Sequence, residues 1–112
     1  MMTYEPFMVV VVPFPFTDST HIKRRKAFVV SKQPFQQGSG TVVLAMITSA
    51  QESSWPGDVP LEGLAVAGLR KACVARLKLF TLDLVLVLES VGTLSERDRL
   101  AILKAWKPLL VI

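Results

Sequence analysis

The chain has 112 residues, 51% hydrophobic and 20% charged, and its thirteen Lys and Arg exceed its nine Asp and Glu to give a net charge of +4. This length allows one hydrophobic core, and the composition excludes an intrinsically disordered chain. One Cys and one His cannot assemble a zinc site, which excludes a metal centre of that kind.

The first third of the chain predicts two strands joined by a basic loop. Met8 to Val12 is a short β-branched run, which indicates a buried strand ended by the segment Pro13 to Phe16. Thr17 to Arg25 is polar and predicts a loop, and Ala27 to Ser31 predicts the second strand. Four adjacent cations, Lys23 to Lys26, fall where loop and strand meet. Their mutual repulsion is easiest to understand if an anion binds there, and a solvated loop is the alternative.

The middle of the chain predicts a turn and a central strand. Gln36 to Gly40 contains two glycines and predicts the turn, and Thr41 to Thr48 is an apolar run that predicts the strand. Residues 50–58 predict a loop, and Val59 to Leu61 predicts a short strand. Leu64 to Gly68 fits neither pattern clearly.

A further strand is predicted for Cys73 to Phe80, where a period of two would put Val74, Arg76 and Lys78 on one face. Cys73 is expected to be a small buried side chain, and a single cysteine fits a reducing cytoplasm. Thr81 to Asp83 predicts a tight turn or the start of a helix.

The C-terminal segment predicts the clearest helix. Ser95 is a candidate N-cap, with Asp98 three residues later in a shortened capping box. The helical spacing predicts one apolar side, with Trp106 as a core anchor and Pro108 ending the helix near Lys107. That apolar side comprises Leu100, Leu103, Trp106 and Leu110.

Together these elements predict a mainly β, single-domain protein, a small barrel-like antiparallel sheet with a C-terminal helix packed on it. Glu5 and Pro6 interrupt any signal-peptide pattern, and no apolar run approaches the length of about 20 residues that a bilayer requires. A soluble cytoplasmic protein without a membrane segment is therefore expected.

Two stretches of the chain contain cations and no acid. Ser19 to Gln51 carries five cations, and Gly63 to Leu82 carries Arg70, Lys71, Arg76 and Lys78. If the two stretches meet in space, they form a basic face suited to phosphate or to an acidic protein segment.

Several segments, in this order, resemble one known family. VVVVPFPFTD and KRRKAFVVS are followed by VVLAMITSAQ, then by GLRKACVARLKLFTLD and VGTLSERD. This succession is similar to the MazF/PemK (Kid-like) toxin endoribonucleases of type II toxin–antitoxin systems, over roughly residues 8–110. The resemblance implies that residues 1–112 form one such toxin domain with the fold of an SH3-like barrel. It also implies a homodimer that binds a cognate antitoxin. The implied activity is the cutting of single-stranded messenger RNA without a metal or other cofactor.

The resemblance also implies site residues. The family's catalytic arginine falls on Arg25, and its catalytic hydroxyl, at the end of the ITS motif, falls on Thr48 with Ser49 beside it. The later basic residue falls on Arg76, and Lys23 and Arg24 would help to hold RNA.

The residue types independently suit RNA cleavage by the 2′-hydroxyl. Attack on the adjacent phosphate concentrates negative charge on the phosphoryl oxygens, and the planar fork of Arg25 can bind two of them. Thr48 can add a hydroxyl donor. Arginine is a poor general base, since it stays protonated near neutral pH, so His21 is a candidate to share proton transfer.

Three departures from the family pattern keep alternatives open. Lys26 replaces a usual proline after Arg25 and adds a charge beside it, Pro6 and Phe7 replace a common Gly-Asp, and no acid follows Arg76 closely. The alternatives are a toxin of the same fold that poisons gyrase instead of cutting RNA, and a degenerate member that only binds an antitoxin.

Overall fold

A computed structural model describes residues 2–14, 23–50 and 54–111. Their six strands form one curled antiparallel sheet, a half-barrel, in the order β4-β5-β3-β2-β1-β6. The strands are β1 Met8–Phe14, β2 Lys23–Val29, β3 Thr41–Ser49, β4 Val59–Pro60, β5 Cys73–Asp83 and β6 Glu89–Thr93. The helices are α1 Gln33–Ser39 and α2 Glu96–Trp106, with single 3₁₀ turns at Leu84–Leu86 and Lys107–Leu109. The predicted fold, mainly β with a C-terminal helix, is confirmed.

The sheet is apolar on both faces, because successive residues of a strand point to opposite sides. In β2, Phe28 belongs to one buried cluster, and its neighbours Ala27 and Val29 belong to the other. Helix α2 covers the Phe28 face, where the ring of Trp106 lies 5.7 Å from that of Phe28. Trp106 is thus the core anchor that the sequence predicts.

Strands β1 and β2 are longer than predicted, and they carry the basic run. β1 continues through Pro13 to Phe14, and β2 begins at Lys23 rather than at Ala27. The prediction that Lys23–Arg25 belong to a loop is therefore wrong, while residues 17–22 of that predicted loop lie outside the described residues. Antiparallel pairing with the end of β1, including Val12 opposite Arg25, holds the charged residues extended.

Helix α1 replaces the predicted turn at Gln36 to Gly40. Its sequence lacks an apolar stripe, and it is held instead by the buried amide of Gln36, which accepts from Tyr4 N and donates to Tyr4 O, both at 2.8 Å. Gly40 ends the helix in the left-handed region at φ 71°. The helix depends on contacts distant in sequence, so the local pattern did not predict it.

Helix α2 begins as predicted, with Ser95 Oγ accepting from Asp98 N, and gives way to the 3₁₀ turn at Lys107. The predicted apolar side is partly wrong, because Leu100 and Leu103 are 60% and 55% exposed while Ile102 is buried with Trp106. Asp98, one turn before Ile102, is fully buried as well, so the buried side of α2 runs through Asp98, Ile102 and Trp106. None of the helices in the described ranges has the length and apolarity to cross a bilayer.

Candidate functional site

A cavity of about 750 Å³ lies beside the ends of β2 and β3. Among the residues that the structure describes, every charged one in its lining is a cation. The lining comprises Phe14, Arg24, Arg25, Lys26, Met46, Ile47, Thr48, Ser49, Leu69, Arg70, Lys71, Cys73, Arg76 and Lys78. The two acid-free stretches of the sequence therefore meet in the fold, and the resulting cavity is suited to an anion such as phosphate.

The strand register explains why Arg25 and Thr48 share this cavity. The β2–β3 ladder pairs Ala27 with Met46 and extends no further toward the cavity. Two residues further along each strand, Arg25 and Thr48 occupy corresponding positions on the face that carries Ala27 and Met46. The ladder ends before these two positions, and both residues line the cavity.

Strand β5 contributes further cations to the cavity, and a bulge interrupts its pairing with β3. Ala45 of β3 pairs with Leu79, but the next residue, Met46, pairs with Arg76. The two extra residues of β5 break the predicted period of two, and both Arg76 and Lys78 contribute to the lining. Arg76 pairs with Met46, two residues before Thr48 in β3.

Arg76 is a cation held in place by other side chains. Its Nε donates to Asp58 Oδ1 at 3.1 Å, and its Nη2 donates to Asp58 Oδ2 at 2.9 Å. The hydrogen bonds from Arg76 to Asp58 raise the pKa of the guanidinium further above its ordinary value. Asp58 thus supplies a carboxylate partner to Arg76 from the loop before β4, although no acid follows Arg76 closely in the sequence.

Lys26 does more than add charge beside Arg25. Its Nζ donates to the carbonyl oxygen of Gly68 at 2.9 Å, and so it ties the segment before Leu69 to β2. Gly68 has φ 72°, and a Cβ there would lie 2.5 Å from Val91 O, so this close approach requires glycine. Lys26 therefore fixes the edge of the cavity that carries Leu69, Arg70 and Lys71.

The remaining predicted residues have different positions. Arg24 and Ser49 line the cavity, whereas Lys23 lies exposed at the start of β2 and is not part of the lining. His21 lies outside the described residues. Cys73 is buried in the cavity wall, as the sequence predicts, and burial raises the pKa of its thiol against the opposing effect of Lys26 and Lys71.

Sequence reasoning did not assign Asp58 or Trp55 to the site. The sequence of their segment predicts only a loop. The contacts that Asp58 and Trp55 make with Arg76 are formed only in the folded chain. The guanidinium carbon of Arg76 lies 5.0 Å from the centroid of the Trp55 ring.

The curled sheet, the C-terminal helix and the basic cavity define the class of small half-barrel proteins with a basic cleft at the strand ends. Residues 5–110 match the family described as "PemK-like, MazF-like toxin of type II toxin-antitoxin system". Because this match spans nearly the whole chain, the protein belongs to that family, and the predicted relationship is confirmed.

Solved structures of the same family have the same fold. A MazE–MazF complex from Deinococcus radiodurans superposes with a TM-score of 0.70 at 20% identity, covering 95% of this chain and 95% of that chain. An endoribonuclease in complex with its cognate antitoxin from a mycobacterial species gives 0.73 at 14% identity, with 96% and 95% covered. Toxin MazF-mt6 of Mycobacterium tuberculosis gives 0.68 at 19%, with 88% and 90% covered. No curated protein sequence matches the chain.

Proposed function

We propose that this toxin is a metal-independent endoribonuclease that cuts single-stranded messenger RNA at selected sequences. The observation that carries the proposal is that Arg25 and Thr48, far apart in sequence, line one cavity, in which every charged residue within the described ranges is a cation. The family relationship supports the same assignment.

In the proposed reaction, the 2′-oxygen of one nucleotide attacks the adjacent phosphorus. A new bond from the 2′-oxygen to phosphorus forms as the bond to the 5′-oxygen breaks, leaving a 2′,3′-cyclic phosphate and a 5′-hydroxyl. Arg25 binds two non-bridging oxygens, and the Thr48 hydroxyl donates to one of them. These donors stabilise the charge that develops in the transition state.

The proton of the 2′-hydroxyl leaves during this step, and the departing 5′-oxygen gains one. Arg25 is a poor general base, because an arginine stays protonated near neutral pH and has no free lone pair with which to accept a proton. His21 remains a prediction as a group that shares proton transfer. Water can exchange protons in this open cleft as well.

The other predicted residues hold the strand. Arg24 and Ser49 lie in the same lining as Arg25, and Lys23 extends the positive charge beyond it. Arg76 offers phosphate a cation of fixed position, since Asp58 holds its guanidinium. Such contacts position an RNA backbone without reading its sequence.

The proposed partners are a cognate antitoxin and a second copy of the chain, in the cytoplasm. The cavity suits an acidic, disordered antitoxin segment that becomes ordered on binding. A homodimer is favoured because several large apolar side chains remain exposed among the described residues, Val85, Leu86 and Leu88 in one short segment among them.

Replacing Arg25 tests the proposal. Arg25→Ala is expected to lower the rate of cleavage of a single-stranded RNA, with EDTA present, to less than about a thousandth, because the main charge-stabilising group is lost. Lys104→Ala is a matched control, since it removes an exposed cation from α2, outside the cavity lining. The measurement is the appearance of 2′,3′-cyclic phosphate ends.

Other outcomes favour the alternatives. Undiminished cutting by Arg25→Ala contradicts the assignment of that residue. A wild-type protein that cuts no RNA but binds an antitoxin tightly is a degenerate member, and one that stalls gyrase on DNA is a toxin of the second kind.

A further inference from the structure

Trp55 differs from the other tryptophan of the chain in its surroundings. Trp106 is 6% exposed in the core, whereas Trp55 is 41% exposed in the segment that leads to β4. The indole Nε1 of Trp55 donates to Leu77 O at 3.2 Å. A large aromatic ring is thus kept partly in solvent, with its orientation fixed by β5.

The Trp55 ring adjoins the basic cavity. Arg76 Cζ lies 5.0 Å from the ring centroid and Lys78 Nζ lies 5.7 Å from it, both within cation–π range. Both cations also line the cavity. A phosphate that meets these cations would bring the base of its nucleotide close to the indole.

We propose that Trp55 is a stacking platform for one nucleobase of the RNA strand, flanking the phosphate at Arg25 and Thr48. An exposed, oriented aromatic ring beside cations is the combination by which proteins hold single strands, since the cations bind the backbone and the ring stacks on a base. The inference rests on the proposed function for its ligand, but it does not depend on cleavage.

A second role for Trp55 must be separated from stacking. The ring also packs against Arg76, so its removal could weaken phosphate binding by loosening that guanidinium. The two roles differ in one respect. Stacking requires a base on the ligand, whereas an effect through Arg76 requires only the phosphate.

The experiment compares two single-stranded oligomers of equal length, an oligodeoxynucleotide and its abasic counterpart. Neither has a 2′-hydroxyl, so neither can be cut by the proposed reaction. Trp55→Ala is expected to bind the oligodeoxynucleotide about tenfold more weakly and the abasic oligomer unchanged, whereas Trp55→Phe, which keeps an aromatic face, stays within about threefold of wild type for both. Equal losses for both oligomers, or no loss for either, overturn the proposal.

Tryptophan emission gives an independent readout on the same ligands. The oligodeoxynucleotide is expected to quench wild-type emission but not that of Trp55→Phe, which retains only the buried Trp106. If the oligodeoxynucleotide quenches the emission of the wild type but the wild type cuts no RNA, the proposed nuclease activity is refuted and the stacking role of Trp55 stands. Normal RNA cleavage by the wild type together with unchanged oligodeoxynucleotide binding by Trp55→Ala would refute the platform alone. A wild type that neither binds the oligodeoxynucleotide nor cuts RNA would refute both proposals.

Discussion

Thr48 stands where β3 still pairs with β5, opposite Val74, but no longer pairs with β2. Its backbone is fixed on one side, and its half-buried side chain contributes to the cavity wall. This placement suits a donor that must meet a developing charge without reorganising. Arg25, which supplies charge, and Thr48, which supplies a hydroxyl, are therefore complementary groups in the proposed reaction.

Truncation of Thr48 tests that role at the level of a single hydroxyl. Thr48→Ala is expected to slow cleavage of bound RNA about a hundredfold, because one transition-state hydrogen bond is lost. Thr48→Ser restores the hydroxyl and most of the rate. The measurement is the single-turnover rate constant at saturating protein.

Thr41→Ala is the matched control for this prediction, since Thr41 is a half-buried threonine at the other end of β3. It should leave the rate within about twofold of wild type, as expected for a surface change away from the site. An equal loss of cleavage rate in Thr48→Ala and Thr41→Ala would mean that Thr48 acts only by supporting strand β3.

Asp98 connects two elements of the fold, helix α2 and the segment that follows β4. Its carboxylate accepts from Glu62 N at 3.0 Å, from Gly63 N at 2.9 Å and from Arg97 Nη1 at 2.9 Å. Burial alone would raise the pKa of Asp98, but these hydrogen bonds, with one from Ser95, outweigh it and hold the pKa below its ordinary value.

The charged form of Asp98 is thus expected to stabilise the fold at neutral pH. Because its folded-state pKa lies below that of the unfolded chain, this contribution is lost as the pH falls from about 4 through the folded-state value. Asp98→Asn is expected to lower the free energy of unfolding at pH 7 by about 3 kcal/mol, since it leaves buried donors unmatched. Urea unfolding at pH 7 and pH 3 measures both effects.

The control is Glu96→Gln, which neutralises an exposed acid in the same first turn of α2. It should cost less than about 1 kcal/mol, the range of a helix-dipole effect. The difference in stability between Asp98→Asn and wild type should shrink at pH 3. A difference that stays constant with pH would contradict the role of the Asp98 charge.

The elements that the sequence predicts well are those whose stability is locally encoded. β-branched runs identify β1 and β3, and Ser95 identifies the start of α2. Helix α1 and the rotation of α2 were not predictable in this way, because they depend on buried polar groups, Gln36 and Asp98, whose partners are 32 to 36 residues away. From the local sequence alone, polar side chains such as these are expected to be exposed to solvent.

In the folded molecule, the residues of the candidate site are brought together by the register of the strands. The order of motifs indicates the family, and the family relationship points to Arg25, Thr48 and Arg76. Their convergence depends on the β2–β3 register and on the bulge that shifts β5 by two residues. Asp58 and Trp55 could not be predicted, since a loop sequence does not indicate which strand residue it will contact.

Whether Arg25 and Thr48 act on the same phosphoryl group can be measured with a double-mutant cycle. Single-turnover cleavage rates are measured for wild type, Arg25→Ala, Thr48→Ala and the double variant, all with EDTA present. Groups that act as a unit give strongly non-additive losses, so the double variant should be no more than about tenfold slower than Arg25→Ala alone. A double variant slowed by the full product of the two single losses would contradict the claim.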